Sequence, residues 1–230
     1  MKVGIVGAAG FVGSALCRAA QDNQTELFQI TRANSSRFKS LEFDVLINAS
    51  MPSKRYWALN NPTEDVMASV LQTAELFYSW NYKKFVQISS LSAILQPDIP
   101  YGAHKRAAEV IVESRENTLI VRLGALYGDG LDKSALFDLV NHNHIYVDIN
   151  SEYNYADVDF VARWIMNNLN ANGIKEVGAM DTISLLEISR GVWDNPLYSG
   201  RTENIFSNTI EEGMPSSKLV LDFVNKIKAR

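Results

Sequence analysis

The opening stretch, "MKVGIVGAAGFVGSALCRAA", constrains the fold more than any other part of the chain. "KVGIVGA" is a short apolar run of strand character, and "FVGSALCRAAQDN" has helical periodicity. Gly7, Gly10 and Gly13 mark the passage from one to the other. In this context each glycine has a physical task. Gly7 permits a tight turn, Gly10 lets backbone approach a pyrophosphate, and Gly13 lets the helix pack closely on the strand. The new helix then offers unpaired N–H groups to an anion, which makes Ala9, Gly10, Phe11, Val12 and Gly13 candidate phosphate contacts. A plain glycine-rich turn is the alternative. The order of lysine, apolar run and small residues also fits a signal peptide, but the spaced glycines and the division into strand and helix argue against that.

Strand-like and helix-like segments keep alternating after this start. "ELFQITR", "FDVLINAS", "KKFVQISS" and the opening of "TLIVRLGALYG" read as strands. "PTEDVMASVLQTAELFYSWN" reads as one long helix with Val66, Val70, Leu71, Ala74 and Phe77 on its apolar face, and "GAHKRAAEVIVESRE" reads as another. Apolar strands without polar alternation, separated by helices, imply βαβ units and a parallel sheet covered on both faces. Only about a dozen residues separate "ITR" from "DVLINAS", roughly the minimum for a crossover. A third-strand unit is therefore expected to be reduced, with "SRFKS" as a short edge piece. Further on, "SALFDLVNHN", "DVDFVARWIMNNLNAN" and "SSKLVLDFVNKIKAR" read as helices, and "KEVGAM" and "TENIFSN" as short strands. The expected fold class is α/β, a Rossmann-like doubly wound parallel sheet with a small C-terminal region.

With 230 residues, 47% of them hydrophobic, the chain can bury a sizeable core. A net charge of −4 gives no basic field for nucleic acid. No stretch other than the N-terminal run approaches membrane-spanning length. The single cysteine, Cys17, allows no internal disulfide, which suits a reducing cytoplasm.

The second strand ends in Arg32, close to the spacing at which an acidic residue would hold an unphosphorylated ribose. A guanidinium there favours a 2′-phosphate through forked hydrogen bonds, hence NADP with NAD as the alternative. A solvated surface arginine is the competing reading. "PYGAHK" places Tyr101 and Lys105 one helical turn apart, with Pro100 suited to a first turn. A nearby ammonium favours a phenolate and draws the phenol below its usual value near 10. Alone, the pair reads as a helix start with a solvated lysine. The glycine loop and the upstream Ser90 turn the reading towards proton transfer. His142 and His144 lack further ligands at metal spacing and read as structural. Asp157 and Asp159 read as a helix cap with surface charge. Arg55, Tyr56 and Trp57 follow a strand end, where α/β folds bind ligands, and read equally well as surface packing.

Together, "GAAGFVG", "DVLINAS", "VQISSLS", "YGAHK", "VRLGALYGDG" and "YNYADVDFVARWI" resemble the extended branch of the short-chain dehydrogenase/reductase superfamily, the NAD(P)-dependent epimerase/dehydratase family. The resemblance covers most of the chain and is weakest from about residue 182. It implies Tyr101 as acid/base, Lys105 as its partner and Ser90 as the substrate hydroxyl, with Ser92 competing for that role. It also implies cofactor contacts from Asn48, Ala49, Ser50, Ser89, Leu123 and Gly124. Residues 1–128, with part of 145–181, would form the NAD(P)-binding domain, and 129–230 a small substrate-binding region interleaved with the last strands. A nucleotide-sugar substrate, a homodimer through the helices around 61–81 and 102–116, and a cytoplasmic enzyme are implied as well. The loop from Ser90 to Tyr101 and the C-terminal half are short for that branch.

Leu91 and Ser92 follow Ser90 where dehydratases of the family carry an acidic pair, so dehydration is disfavoured. Arg32 favours NADP and thus a reductase acting on a keto group. An epimerase with the same Ser/Tyr/Lys trio and a non-catalytic dinucleotide-binding regulator are the alternatives.

Overall fold

The computed structural model describes residues 1–21, 25–207 and 209–228. The expected helix tails at Asp22–Asn23 and Ala229–Arg230, and the strand end at Asn208, lie outside them. Strand β1 (Lys2–Val6) turns through the glycine loop into α1 (Phe11–Gln21), followed by β2 (Glu26–Ile30), α2 (Ser35–Phe38) and β3 (Glu42–Asn48). Then come α3 (Arg55–Asn60), α4 (Pro62–Val66), a π-helical turn (Met67–Leu71), α5 (Gln72–Ser79) and β4 (Asn81–Ser90). Next are α6 (Ser92–Leu95), α7 (Pro100–Glu113) and β5 (Thr118–Leu123), with β6 (Leu126–Tyr127), α8 (Ala135–Val140), β7 (Glu152–Tyr153) and β8 (Ala156–Asp157) beyond them. The remaining elements are α9 (Val158–Asn167), β9 (Gly173–Val177), β10 (Ile183–Ser184), α10 (Leu185–Ser189), β11 (Asn204–Ile205) and α11 (Leu219–Lys228).

Six strands form a parallel central sheet in the order β2-β1-β3-β4-β5-β9, the Rossmann-like arrangement expected. β2 is its edge. "SRFKS" supplies no edge strand: Ser35–Phe38 is a single helical turn. The link from β2 to β3 is too short to reach the far side of β2 and come back, so β3 pairs with β1 directly. The core packs aromatic edges against faces, with Phe77 on Phe85 at 5.2 Å and Phe28 on Phe43 at 5.5 Å.

The long helix differs from its sequence pattern. The π-helical turn interrupts it, and its buried side chains are Asp65, Ser69, Thr73, Leu76 and Phe77. Of the predicted apolar stripe, Phe77 is buried and Leu71 is 56% exposed, as are Met67 (57%) and Tyr78 (55%). The inward face has polar partners waiting for it: Thr73 meets Asn48, and Asp65 meets His104. Apolar periodicity marks the stripe that does not face those partners.

The chain forms two compact units, one of Met1–Leu123 with Asp159–Lys175, the other of Gly124–Val158 with the residues from Glu176 onward. In the first, Arg18 of α1 pairs with Asp159 of α9 at 2.6 Å. The second holds the small pairings β6-β8 and β10-β7-β11. There His142 stacks on Trp193, and His144 Nε2 lies 2.7 Å from Ser199 Oγ. Among the described residues no helix is long and apolar enough to cross a membrane.

Candidate functional site

Three strand ends bring the glycine loop, Arg32 and Asn48–Ser50 together. The N–H groups of Gly7 and Ala8 both donate to the carbonyl of Ile30, at 2.9 and 3.2 Å, which sets the loop beside the end of β2. On the other side Ala49 N–H donates to Val6 O at 2.9 Å. Gly7 has φ +85°, and a Cβ there would lie 2.6 Å from Ala49 O. A Cβ on Gly13 would collide with the Gly7 carbonyl. Both positions exclude any side chain. Ala9 and Gly10 are exposed at the start of α1, with Phe11 and Val12 half-buried behind them.

Past β2, Thr31 N–H donates to Asn34 Oδ1 at 2.7 Å and Asn34 Nδ2 donates to Gln29 O. That closed turn leaves Arg32 exposed at its corner. Asn48 is wholly buried. Its amide donates to Thr73 Oγ1 and Gln87 Oε1, and its oxygen accepts from the N–H and hydroxyl of Ser50. The side chain is spent on fixing the turn, so what Asn48–Ser50 offer a ligand is backbone.

The proton-transfer candidates stand where β4 ends. Tyr101 is 7% exposed, and the Ser90 hydroxyl acts on its phenol while accepting from Ser92 N–H at 3.2 Å. Lys105 is 4% exposed, with its Nζ 5.2 Å from the centroid of the Tyr101 ring. Burial pushes the Tyr101 phenol up. The charge of Arg55 and the Ser90 hydrogen bond oppose that shift, and Asp65 adds to it. The sequence expectation put Lys105 in the role of the opposing cation, but Lys105 is itself so buried that it is pushed down to about 7, with Asp65 and Glu109 pulling the other way. An ammonium that gives up its proton so easily is a weak electrostatic partner, and Arg55 at the head of α3 takes that part.

Several residues here carried no sequence signal. A Cβ on Gly102 would collide with Gln96 O and lie 2.5 Å from Ser92 O, so the end of α6 bears directly on the helix start that carries Tyr101. Gln96 Oε1 accepts from Arg55 Nη1 at 3.3 Å. Glu109, fully buried, accepts from Ser89 Oγ at 2.6 Å, from Arg122 Nε and Nη2 at 3.0 and 2.7 Å, and from Arg106 Nη1 at 3.1 Å. Ser89 thus turns its hydroxyl to Glu109. Leu123 is buried opposite Ser90 on β5. Gly124 opens the second unit, where a Cβ would collide with the Asn154 amide. The spacing of Asp65, Ser69 and Thr73, every fourth residue on one helix face, is the pattern that could have revealed a polar buried side.

The sequence matches the model of the NAD dependent epimerase/dehydratase family over residues 3–163. The chain belongs to that family. A comparison with curated proteins finds no match. Among solved structures, the fold is similar to a dTDP-4-dehydrorhamnose reductase from Bacillus anthracis in complex with NADP (TM-score 0.80, 16% identity, 98% of each chain). It is also similar to a UDP-glucose 4-epimerase from Thermotoga maritima with UDP-glucose (TM-score 0.76, 15% identity, 99% of this chain and 100% of that one). A third is a UDP-glucuronic acid 4-epimerase from Bacillus cereus in complex with UDP-glucuronic acid and NAD (TM-score 0.73, 18% identity, 97% and 93%).

The glycine loop of this family member fits the dinucleotide its family uses. Two glycines accept no side chain, and the free N–H groups at the start of an eleven-residue helix face an exposed loop.

Proposed function

We propose that this protein is an NADP-dependent reductase that reduces a keto group on a nucleotide sugar or similar small carbonyl compound. The reading is supported by the buried Tyr101–Lys105 pair, with the Lys105 Nζ 5.2 Å from the centre of the Tyr101 ring and Ser90 at the end of β4, at the same strand-end edge of the sheet as the glycine loop. When bound, the reduced nicotinamide supplies the hydride. The glycine loop and the start of α1 hold the pyrophosphate, and Arg32 holds the 2′-phosphate. Ser90 hydrogen-bonds the substrate oxygen and stabilises its developing charge. Tyr101 donates the proton to that oxygen. A phenol pushed up by burial is held in the protonated form that a general acid needs. Leu91 and Ser92 offer no carboxylic acid for dehydration.

The second unit is proposed as the substrate-binding region. The exposed Met67, Leu71, Tyr78 and Val110 support a homodimer built on the helices around 61–81 and 102–116. A 4-epimerase reading has support from the two similar 4-epimerase structures, and the same trio would serve it. The two readings part on cofactor balance. With NADPH and a panel of dTDP- and UDP-4-keto sugars, a reductase consumes NADPH in proportion to product. An epimerase interconverts the sugar with no net consumption. A strong preference for NADH would contradict the NADP assignment.

A further inference from the structure

Glu109 is fully buried on α7, and no step of the proposed chemistry uses it. Its Oε1 accepts from Ser89 Oγ at 2.6 Å and from Arg122 Nε at 3.0 Å. Its Oε2 accepts from Arg122 Nη2 at 2.7 Å and from Arg106 Nη1 at 3.1 Å. Arg122 lies on β5 directly opposite Ser89 of β4. One carboxylate thus joins a helix to two neighbouring strands, and each of the three carries part of the site close by. Ser89 precedes Ser90, and Arg122 precedes Leu123. Glu109 follows Lys105 by one helical turn, with Tyr101 one turn earlier on the same buried face. We propose that Glu109 is a positioning residue: through Ser89 and Arg122 it holds the end of β4, and with it Ser90, in register with Tyr101 and Lys105.

Stability alone does not account for this arrangement. A buried ion pair can often be replaced by well-packed apolar residues at little or no cost. What apolar residues cannot supply is direction. The forked contact with Arg122 fixes the plane of the carboxylate. In that plane Oε1 still has room for a second donor, and the Ser89 hydroxyl takes it. β4 ends at Ser90, and just beyond it Leu91 N–H donates to Leu123 O at 3.0 Å. Ser90 therefore stands between two tethers, the Ser89 hydroxyl before it and the Leu91 amide after it. Both lead to β5, one through Glu109 and Arg122 and the other directly. The inference rests, for its meaning in catalysis, on the reading of Ser90, Tyr101 and Lys105 as the reacting groups.

Two full-length variants separate holding from folding. In Ser89→Ala the Glu109–Arg122 pair remains and only the tether to β4 is lost. Its kcat with NADPH and a 4-keto nucleotide sugar should fall at least about tenfold, with KM and NADPH affinity unchanged. Glu109→Met with Arg122→Met removes the ion pair entirely. That variant should keep most of the wild-type stability and still turn over about 100-fold more slowly. Wild-type turnover in these folded variants overturns the proposal. Hydrogen exchange read by NMR needs no substrate. In Ser89→Ala the Leu91 amide should exchange about fivefold faster, the worth of one hydrogen bond, with the buried Val86 amide in mid-strand unchanged. A wild-type exchange rate at Leu91 likewise overturns the proposal. Absence of NADPH oxidation by the wild type would instead count against the reductase reading, and Leu91 exchange alone would then decide whether Glu109 holds the strand.

Discussion

The ammonium of Lys105 lies 5.2 Å from the centre of the Tyr101 ring, and neither side chain is more than 7% exposed. Burial makes that ammonium expensive. It pushes Lys105 down to about 7 in the folded chain, against 10.5 for a free lysine. Between those values the unfolded chain binds the extra proton, so this group makes the fold more stable as pH rises from about 7 to about 10.5. Lys105→Met removes the titration. Its stability relative to wild type should be most favourable at pH 7 and below, with the advantage shrinking towards pH 10. Urea midpoints across that range check this, and a difference that does not change with pH contradicts it.

Gly102 seats the helix that carries Tyr101 against the end of α6. Gly102→Ala must push the two apart, at a cost of about 1–3 kcal/mol in stability. Because it shifts the neighbouring tyrosine, turnover should fall by about 100-fold. NADPH binding should persist, since the glycine loop is untouched. Fluorescence titration of NADPH alongside steady-state rates separates the two effects.

Glu109, itself fully buried, accepts from the buried Ser89 and Arg122 and from the more exposed Arg106. Glu109→Ala leaves the Arg122 guanidinium buried without its anion and should cost about 3–5 kcal/mol. Replacing both members, as Glu109→Met with Arg122→Met, should recover most of that loss. Chemical denaturation of the single and double variants measures it.

Arg32 stands exposed at the corner after β2, beside the glycine loop. Arg32→Asp removes a charged partner of the 2′-phosphate, worth about 1.5–3 kcal/mol, or roughly 10- to 100-fold in affinity. NADPH should bind correspondingly more weakly, with NADH affinity unchanged or improved. Equal losses for both cofactors would show that Arg32 does not read the phosphate.

The sheet was legible because most of its strands are apolar without regular polar alternation, and the loop because Gly7 and Gly13 sit where no side chain fits. The long helix was legible in extent but not in orientation. Its buried side begins with the polar Asp65, Ser69 and Thr73 before Leu76 and Phe77, and no apolar pattern announces the part that pairs with Asn48 and His104. Tyr101, Lys105 and Ser90 could be named as candidates from the resemblance of their motifs to the family. Their electrostatics could not, because burial and the approach of Arg55 come from α3 and α4 folding over α7. The same holds for Glu109, which reads in sequence as an ordinary helical carboxylate.

Tyr101, as the proposed proton donor in a nicotinamide-dependent reduction, is probed by Tyr101→Phe, which removes one oxygen from a packed ring. NADPH oxidation is followed with a 4-keto nucleotide sugar that the wild type reduces, and NADPH affinity is measured on the same samples. Turnover should fall by at least about 100-fold, as for removal of a general acid, with NADPH binding unchanged. Turnover equal to the wild type would contradict that role.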